Sequence, residues 1–245
     1  MDSTKPSAPS QRQNMSVKER TFLATAAHEL RTPLHSANGF LEMALEGMAG
    51  PLGERQREML AYAHLAIGQL GILLEDVLFV ARADSGELVP HPTKVAPATL
   101  VARALESVCD EAREKDVTLT QSVGEAPATI RVDGERVREG LIGLLRSGLA
   151  LTPHGGTLAI ATLADDGLFH ITVTPEGVRL SASDLRHLCD RFAQPQPLGA
   201  AKSVHLGLGL VIAQITAAWH GGHVRAETAP DGSLTLSYEL PLSDS

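Results

Sequence analysis

The residues with the clearest chemical potential lie in one short segment, 28–34, which reads HELRTPL. If it is helical, Thr32 lies one turn beyond His28 on the same side. An exposed imidazole beside the Glu29 carboxylate is an able phosphoryl acceptor, and a hydroxyl one turn away can position water. Pro33 has no N–H for the Glu29 carbonyl, so we expect a bend beside His28. A lone outward histidine is more simply a solvated surface residue, but this combination favours phosphoryl chemistry.

Two heptad patterns predict the helices that hold this segment. Apolar residues alternate in steps of four and three, as in a coiled-coil seam, at Leu23, Ala27, Leu30, Leu34, Ala37, Leu41, Ala44 and Met48 and again at Ala63, Ile67, Leu70, Leu74, Val77 and Ala81. With Leu23 at position d, His28, Glu29 and Thr32 fall at the outward positions b, c and f. Each helix spans about 30 residues, or ~45 Å. The break at 50–53 predicts an antiparallel hairpin, which can bury its stripes by dimerising into a four-helix bundle.

The pattern changes after Gly86 and predicts a second domain. We expect a disordered tail over 1–16, the helical hairpin over 17–88, a linker over 89–95 and an α/β sandwich over 96–242. Helices are predicted at Pro97–Lys115, Glu135–Leu151, Ser183–Arg191 and Gly209–His220, and strands at Val117–Val123, Thr129–Val132, Thr157–Leu163, Phe169–Thr174, His223–Thr228 and Ser233–Leu240. The fold class is therefore a helical hairpin followed by an α/β layer.

Composition narrows the classes of function. The 245 residues carry a formal net charge of −8, and aromatic residues make up 3% of them. The acidic balance argues against binding nucleic acid through phosphate contacts, and the scarcity of rings argues against base-stacking platforms. Two cysteines, Cys109 and Cys189, form no disulfide framework, so a reduced, cytoplasmic protein is expected.

No targeting or membrane segment is predicted. Residues 1–20 are polar and lack the apolar core of a signal peptide. The most apolar stretch, 59–81, falls short of the ~20 mostly apolar residues of a membrane span, because four polar residues interrupt it: His64, Gln69, Glu75 and Asp76. We therefore expect no membrane span.

The segment HELRTPL, preceded by ERTFLATAA, resembles the H-box of sensor histidine kinases. The likeness continues through GPLGERQREML and LFVARADSGEL and extends across the α/β part, over about residues 18–242. It implies a dimerisation and histidine-phosphotransfer domain followed by a catalytic domain of the type that binds ATP with Mg²⁺. By this resemblance His28 is the phosphorylated residue, Glu29 assists phosphotransfer, and Thr32 serves phosphatase activity toward a response regulator.

The ATP-site motifs of that family are only partly present. VREGLIGLLRSGLALTP resembles the N-box helix, whose asparagines serve catalysis and hold Mg²⁺, but the two slots contain Gly143 and Ser147. A glycine offers no side chain, and a serine hydroxyl is a shorter and weaker Mg²⁺ ligand than an amide. In ITVTPEGVRL, the slot of the aspartate that recognises adenine contains Pro175, which has no side-chain acceptor. A usually basic slot contains Ala150.

Other parts of the nucleotide motifs are better kept. Gly177 fills the first glycine slot after the strand, whereas Arg179 fills the second. HLGLGL keeps Gly207 and Gly209 before a helix, where glycines let backbone N–H groups approach phosphates, although close packing of the turn explains them equally well. Lys202 is a candidate phosphate contact. The candidate cofactor-binding residues are Ser147, Gly177, Gly207 and Gly209, and no metal-ligand set is predicted.

These residues support three functional hypotheses. The leading one is a two-component signalling protein that exchanges phosphoryl groups between His28 and a receiver-domain aspartate, or removes them with Thr32, with weak or absent ATP-driven autophosphorylation. The second is an active autokinase that uses Ser147 and Glu176 in place of the usual side chains. The third is a non-catalytic module that binds a receiver domain or a partner histidine kinase. In the leading hypothesis the chain forms a homodimer through residues 18–85.

Overall fold

A computed structural model describes residues 17–124, 126–180, 185, 188, 208–228 and 232–242, without the side chains of 17–25, 27 and 28. The predicted tail, most of the predicted helix Ser183–Arg191, Cys189, Lys202 and Gly207 lie outside the described residues. The chain divides into two compact units, and the main division falls between Leu88 and Val89.

The first unit is the predicted antiparallel hairpin of α1 (Val17–Leu45) and α2 (Glu54–Asp84). Gly47 and Gly50 in the connection have φ of +83° and +104°, a backbone conformation that glycine adopts without strain. Arg57 closes the loop end by donating from Nη1 to the Leu45 carbonyl at 3.0 Å. The hairpin is therefore defined by its turn as well as by its apolar pattern.

The hairpin leaves much apolar surface uncovered. Some seam residues, such as Leu34, Leu41 and Ile67, are half-buried. Several large apolar side chains are exposed, among them four from the seam itself: Leu30, Phe40, Met43, Met48, Met59, Tyr62, Leu65, Leu70, Leu73 and Val77. By length and composition α2 also qualifies as a membrane span. This test does not separate a span from a helix that a partner covers, so the expected absence of a span stays a prediction.

The second unit contains a five-stranded sheet of order β2-β4-β5-β7-β6 and a separate pair of β1 and β3. In the large sheet β2 and β4 are parallel, and the other neighbours are antiparallel. The strands are β1 (Thr93–Val95), β2 (Thr118–Val123), β3 (Ile130–Val132), β4 (Thr157–Asp165), β5 (Leu168–Pro175), β6 (His223–Thr228) and β7 (Leu234–Pro241). This mixed sheet matches the predicted α/β layer.

Helices cover one face of this sheet. They are α3 (Pro97–Glu106), α4 (Cys109–Glu114), α5 (Gly134–Leu151) and α6 (Gly209–Trp219). Alternate residues of β5, including Phe169 and Ile171, are buried, as a half-covered strand requires. The core is mostly aliphatic, and Tyr238 and Phe169 are its largest fully buried side chains.

Two predictions about the start of this unit are corrected. The single helix predicted at Pro97–Lys115 is broken into α3 and α4, because the chain leaves helical geometry at Val108 (φ −117°), which is fully buried. The predicted linker 89–95 contains β1, which pairs with β3 in antiparallel register. The end of the linker is therefore part of the sheet structure.

Candidate functional site

The predicted acceptor segment lies in the middle of α1, which continues through Pro33. His28 is part of this helix, and Glu29 and Thr32 are exposed, as the outward heptad positions predict. Because Thr32 follows His28 by four residues, the two lie one turn apart on the same side of the helix. The backbone thus places the exposed Thr32 one turn beyond position 28, and the exposed Glu29 next to that position in the chain.

Polar side chains continue along α1 beyond Pro33. His35 donates its Nδ1–H to the Arg31 carbonyl at 3.0 Å, and Ser36 donates its hydroxyl to the Thr32 carbonyl at 3.1 Å. Neither bond goes to the Glu29 carbonyl, whose partner within the helix Pro33 removes, yet α1 is helical on both sides of the acceptor segment.

The two positions of the N-box motif are buried in α5. Ser147 has no exposed surface, and its hydroxyl donates to the Gly143 carbonyl at 2.8 Å. A Cβ on Gly143 would lie 2.9 Å from the carbonyl carbon of Gly209, closer than real Cβ contacts. Neither position presents a side-chain ligand to a nucleotide or to Mg²⁺.

The glycine motif at the start of α6 has a packing role. Gly209 is buried, and a Cβ there would lie 2.5 Å from the Gly143 carbonyl oxygen and 3.0 Å from Ser147 Oγ. Close approach of α6 to α5 therefore accounts for a glycine at this position. Gly207, its partner in the motif, lies outside the described residues.

The strand that precedes the predicted adenine slot ends in a tight turn. Pro175 is buried at the end of β5, opposite Leu158 of β4, and offers no acceptor. Gly177 has φ of +74°, which a turn at this point requires. Glu176 is exposed, and its N–H donates to the Thr157 carbonyl at 3.0 Å. The turn is thus set by backbone bonds and by glycine.

One cationic side chain near these slots, Lys115, is not among the site residues predicted from the sequence. Lys115, just after α4, donates from Nζ to the Ala150 carbonyl at 3.0 Å and also to the Leu149 carbonyl, at the end of α5. Burial lowers the pKa of Lys115, and the nearby Glu111 carboxylate partly offsets this. Its contacts assign Lys115 to capping the α5 C-terminus. The feature of the sequence that could have pointed to Lys115 is Ala150, which occupies a slot where the family usually has a basic residue.

At Gly143, Ser147 and Pro175 no side chain offers the amide or carboxylate through which the resemblance implies that Mg²⁺ and ATP are held. Of the predicted cofactor-binding residues that the structure describes, Ser147 is committed to its own helix, Gly209 to packing and Gly177 to a turn. In the described part of the chain, no group of three or more His, Cys, Asp or Glu side chains is placed to hold a metal ion.

Comparisons with known proteins match both units. Residues 18–86 match the His Kinase A (phospho-acceptor) domain, and residues 132–244 match the histidine kinase-, DNA gyrase B- and HSP90-like ATPase family. An uncharacterized sensor-like histidine kinase, R01002 of Rhizobium meliloti, is 30% identical over 90% of this chain, and the histidine protein kinase DivJ of Caulobacter vibrioides is 31% identical over 90%. The chain spans 42% and 37% of the lengths of these relatives.

Solved structures agree with these matches. Full-length ShkA, crystallised with AMPPNP, superposes with a TM-score of 0.68 and 25% identity over 92% of this chain and 46% of its own. The fold also matches histidine kinase ThkA in complex with the response regulator protein TrrA, with a TM-score of 0.60 and 17% identity over 92% of this chain and 64% of that one. The hairpin with its phospho-acceptor motif and the ATPase-type sheet therefore place this chain in the histidine kinase family.

Proposed function

We propose that this chain works in two-component signalling by moving phosphoryl groups between His28 and the aspartate of a response-regulator receiver domain. In the same proposal Thr32 positions water to hydrolyse the receiver's phosphoaspartate, and ATP-driven autophosphorylation is weak or absent. The observation that carries the proposal is the contrast between the two units. The acceptor segment on α1 retains Glu29 and Thr32 in exposed positions, whereas Gly143 and Ser147 present no ligand.

For the transfer step, the main task of the protein is to position the His28 imidazole in line with the phosphoryl group of the receiver. The lone pair of a neutral His28 imidazole nitrogen attacks the phosphorus, the P–N bond forms, and the P–O bond to the receiver aspartate breaks to leave a carboxylate. In this proposal the carboxylate of Glu29, which follows His28 in the chain, favours the imidazole tautomer whose other nitrogen is protonated. Hydrolysis differs in that water, held by the Thr32 hydroxyl, is the nucleophile.

The partners in this proposal are a receiver domain and a second copy of the chain. Histidine kinases dimerise through their phospho-acceptor hairpins and pair with response regulators, as the ThkA–TrrA complex illustrates. The exposed apolar residues of the hairpin supply a surface for the second copy. A partner histidine kinase is a further candidate, and a cytoplasmic location stays a prediction.

The proposal is tested by supplying phosphate from both directions. Purified chain is incubated with labelled ATP and Mg²⁺, and separately with receiver domains phosphorylated by acetyl phosphate. We expect label from the receiver that is stable to base, labile to acid and absent from His28→Ala. Accelerated loss of phosphate from the receiver without label on the chain supports the phosphatase form.

Other outcomes separate the alternatives. Acid-labile label from ATP that disappears in His28→Ala contradicts the loss of autokinase activity and supports a divergent kinase that relies on Ser147 and Glu176. Receiver binding without any phosphate exchange contradicts the catalytic proposal and supports a binding module.

A further inference from the structure

The backbones of α5 and α6 touch at the position where the family places a nucleotide ligand. A Cβ on Gly143 would lie 2.9 Å from the Gly209 carbonyl carbon and 3.0 Å from its Cα. Conversely, a Cβ on Gly209 would lie 2.5 Å from the Gly143 carbonyl oxygen. The exclusion is reciprocal, and the obstructing atoms are backbone, so no side-chain rotation can relieve it.

The same contact encloses Ser147. Its Oγ lies 3.0 Å from the place of a Cβ on Gly209, and it is already bonded to the Gly143 carbonyl. A longer amide at position 147 would have to displace the start of α6. The two family slots and Gly209 thus form one packed unit, so the departures at Gly143 and Ser147 are not independent of each other.

Two further contacts hold α6 against α5 along their length. Midway, a Cβ on Gly140 would overlap Thr216 Oγ1 and lie 3.0 Å from Tyr238 Cε2. At the far end, the Asp133 N–H donates to Nε2 of His220 at 2.9 Å. The other ring nitrogen of His220, Nδ1, bonds the Thr216 carbonyl at 2.8 Å, so the ring joins both ends of this contact.

These contacts run antiparallel from Asp133–His220 to Gly143–Gly209 and define an α5–α6 seam. Moving α6 away to admit a side chain at position 143 would strain the contacts at Gly140 and at His220 as well. We infer that the α5–α6 seam takes the place of nucleotide and Mg²⁺ in holding the start of α6 against α5. Restoring the family's asparagines therefore cannot restore nucleotide binding. This inference goes beyond the proposed function. It concerns why nucleotide binding cannot be restored by substitution, whereas the proposed function concerns phosphoryl exchange at His28.

Paired glycine-to-alanine variants on the same helix test the seam. A Cβ at Gly134 would make ordinary contacts of 3.4 Å with the Leu100 and Val95 side chains, whereas one at Gly143 meets backbone. Alanine favours helix over glycine, so Gly134→Ala should leave the melting temperature unchanged or raise it. Gly143→Ala should lower it by about 4 °C or more. Equal or higher stability of Gly143→Ala overturns the inference.

The second arm restores the family's residues together in Gly143→Asn/Ser147→Asn/Pro175→Asp. We expect no change in its melting temperature on addition of millimolar Mg·ATP or Mg·ADP. A nucleotide-dependent rise in the melting temperature of this variant, whatever its stability without nucleotide, contradicts the inference.

Hydrogen exchange on the wild-type chain removes any dependence on variants that fold poorly. Amides in the first turn of α6 should be equally protected with and without Mg·ATP, since the seam is complete without ligand. Greater protection with nucleotide overturns the inference. Autophosphorylation of His28 by the wild type would separately contradict the proposed function, so the two failures are distinguishable.

Discussion

Two hydroxyl groups from the predicted sites have opposite surroundings. Thr32 is exposed on α1, whereas Ser147 is fully buried and donates to a carbonyl one turn back in α5. A buried hydroxyl satisfied by its own helix has no donor left for a ligand, and moving it into another contact costs the present bond. Thr32 is therefore accessible from solvent, whereas Ser147 is not.

Thr32→Ala should slow dephosphorylation of a phosphorylated receiver by tenfold or more, equivalent to about 1.4 kcal/mol of activation free energy. The reason is the loss of the hydroxyl that positions water, while His28 remains in place to accept phosphate. The measurement is phosphoreceiver decay alongside label transfer to the chain. Ser36→Ala is the matched control, because Ser36 is an exposed hydroxyl one turn further along α1. Equal effects of the two substitutions would refute the role of Thr32.

Tyr238 gives the α/β unit a distinctive response to alkaline pH. Its hydroxyl is buried and donates to Thr216 Oγ1 at 3.0 Å. Burial raises its pKa well above the ordinary 10.0, and the Thr216 bond only partly offsets this. Above pH 10 the unfolded chain loses this proton and the folded chain keeps it, so the free energy of unfolding falls as pH rises.

Tyr238→Phe should therefore flatten the decline of unfolding free energy above pH 10. At neutral pH it should cost about 1 kcal/mol for the lost hydrogen bond. Urea unfolding at several pH values measures both effects. Tyr62→Phe is the control, because Tyr62 is 73% exposed and is the only other tyrosine. An unchanged alkaline slope in Tyr238→Phe would show that the tyrosine ionises in the folded state.

At the scale of elements, the start of α5 connects three segments. Asp133 caps the helix by accepting from the Arg136 N–H at 3.1 Å, and its other carboxylate oxygen accepts from the His91 N–H at 2.8 Å. Burial alone raises the pKa of Asp133, but the backbone bonds from His91 and Arg136 outweigh it, so its pKa is lowered overall. Ionised Asp133 therefore stabilises the fold above its ordinary pKa of 3.8, and this contribution is lost as pH falls below that value.

Asp133→Ala should destabilise the α/β unit by about 1–2 kcal/mol at neutral pH, through loss of the helix cap and of the bond to His91. Denaturant unfolding monitored by circular dichroism measures this loss. Asp110→Ala is the comparison, since Asp110 forms only an exposed ion pair with Arg113 and should change stability by less than about 0.5 kcal/mol. A similar loss of unfolding free energy in both variants would show that the Asp133 cap stabilises the fold no more than an exposed ion pair does.

At the scale of the whole molecule, the hairpin presents an apolar surface on which we expect a second copy of the chain to pack. Its seam residue Leu70 is 53% exposed, and nine other large apolar side chains are exposed in the part of the hairpin whose side chains the structure describes. Burial of such side chains contributes about 1.5–3 kcal/mol each, and a two-fold interface counts every contact twice. A second copy is the occupant that the histidine kinase family uses.

Leu70→Asp should convert a dimer of 25.9 kDa chains into monomers, because it places a charge at the seam of both copies. Light scattering coupled to size exclusion measures the mass. Leu163→Asp is the control, because Leu163 is similarly exposed, at 49%, but lies on β4 of the other unit. A monomeric wild type, or one retained on lipid vesicles, would contradict dimerisation through this surface.

Local signals in the chain determine the main architecture. Heptad spacing and the break at 50–53 predicted the hairpin, alternation predicted the strands, and HELRTPL identified the family; the fold class and family are confirmed. These features depend on neighbours a few residues apart. The roles of His28, Glu29 and Thr32 stay predictions that rest on the same local motif.

Contacts between distant segments decided the rest, because they depend on backbone approach rather than on residue type. The residues near each position do not predict the pairing of Thr93–Val95 with Ile130–Val132 or the helix break at Val108. Both depend on packing against segments that are distant in the sequence. Likewise, Gly143 and Ser147 read in sequence as missing ligands. Only the fold shows that Gly209 packs against them, and backbone contact at that distance leaves no space for the side chains that the motif lacks.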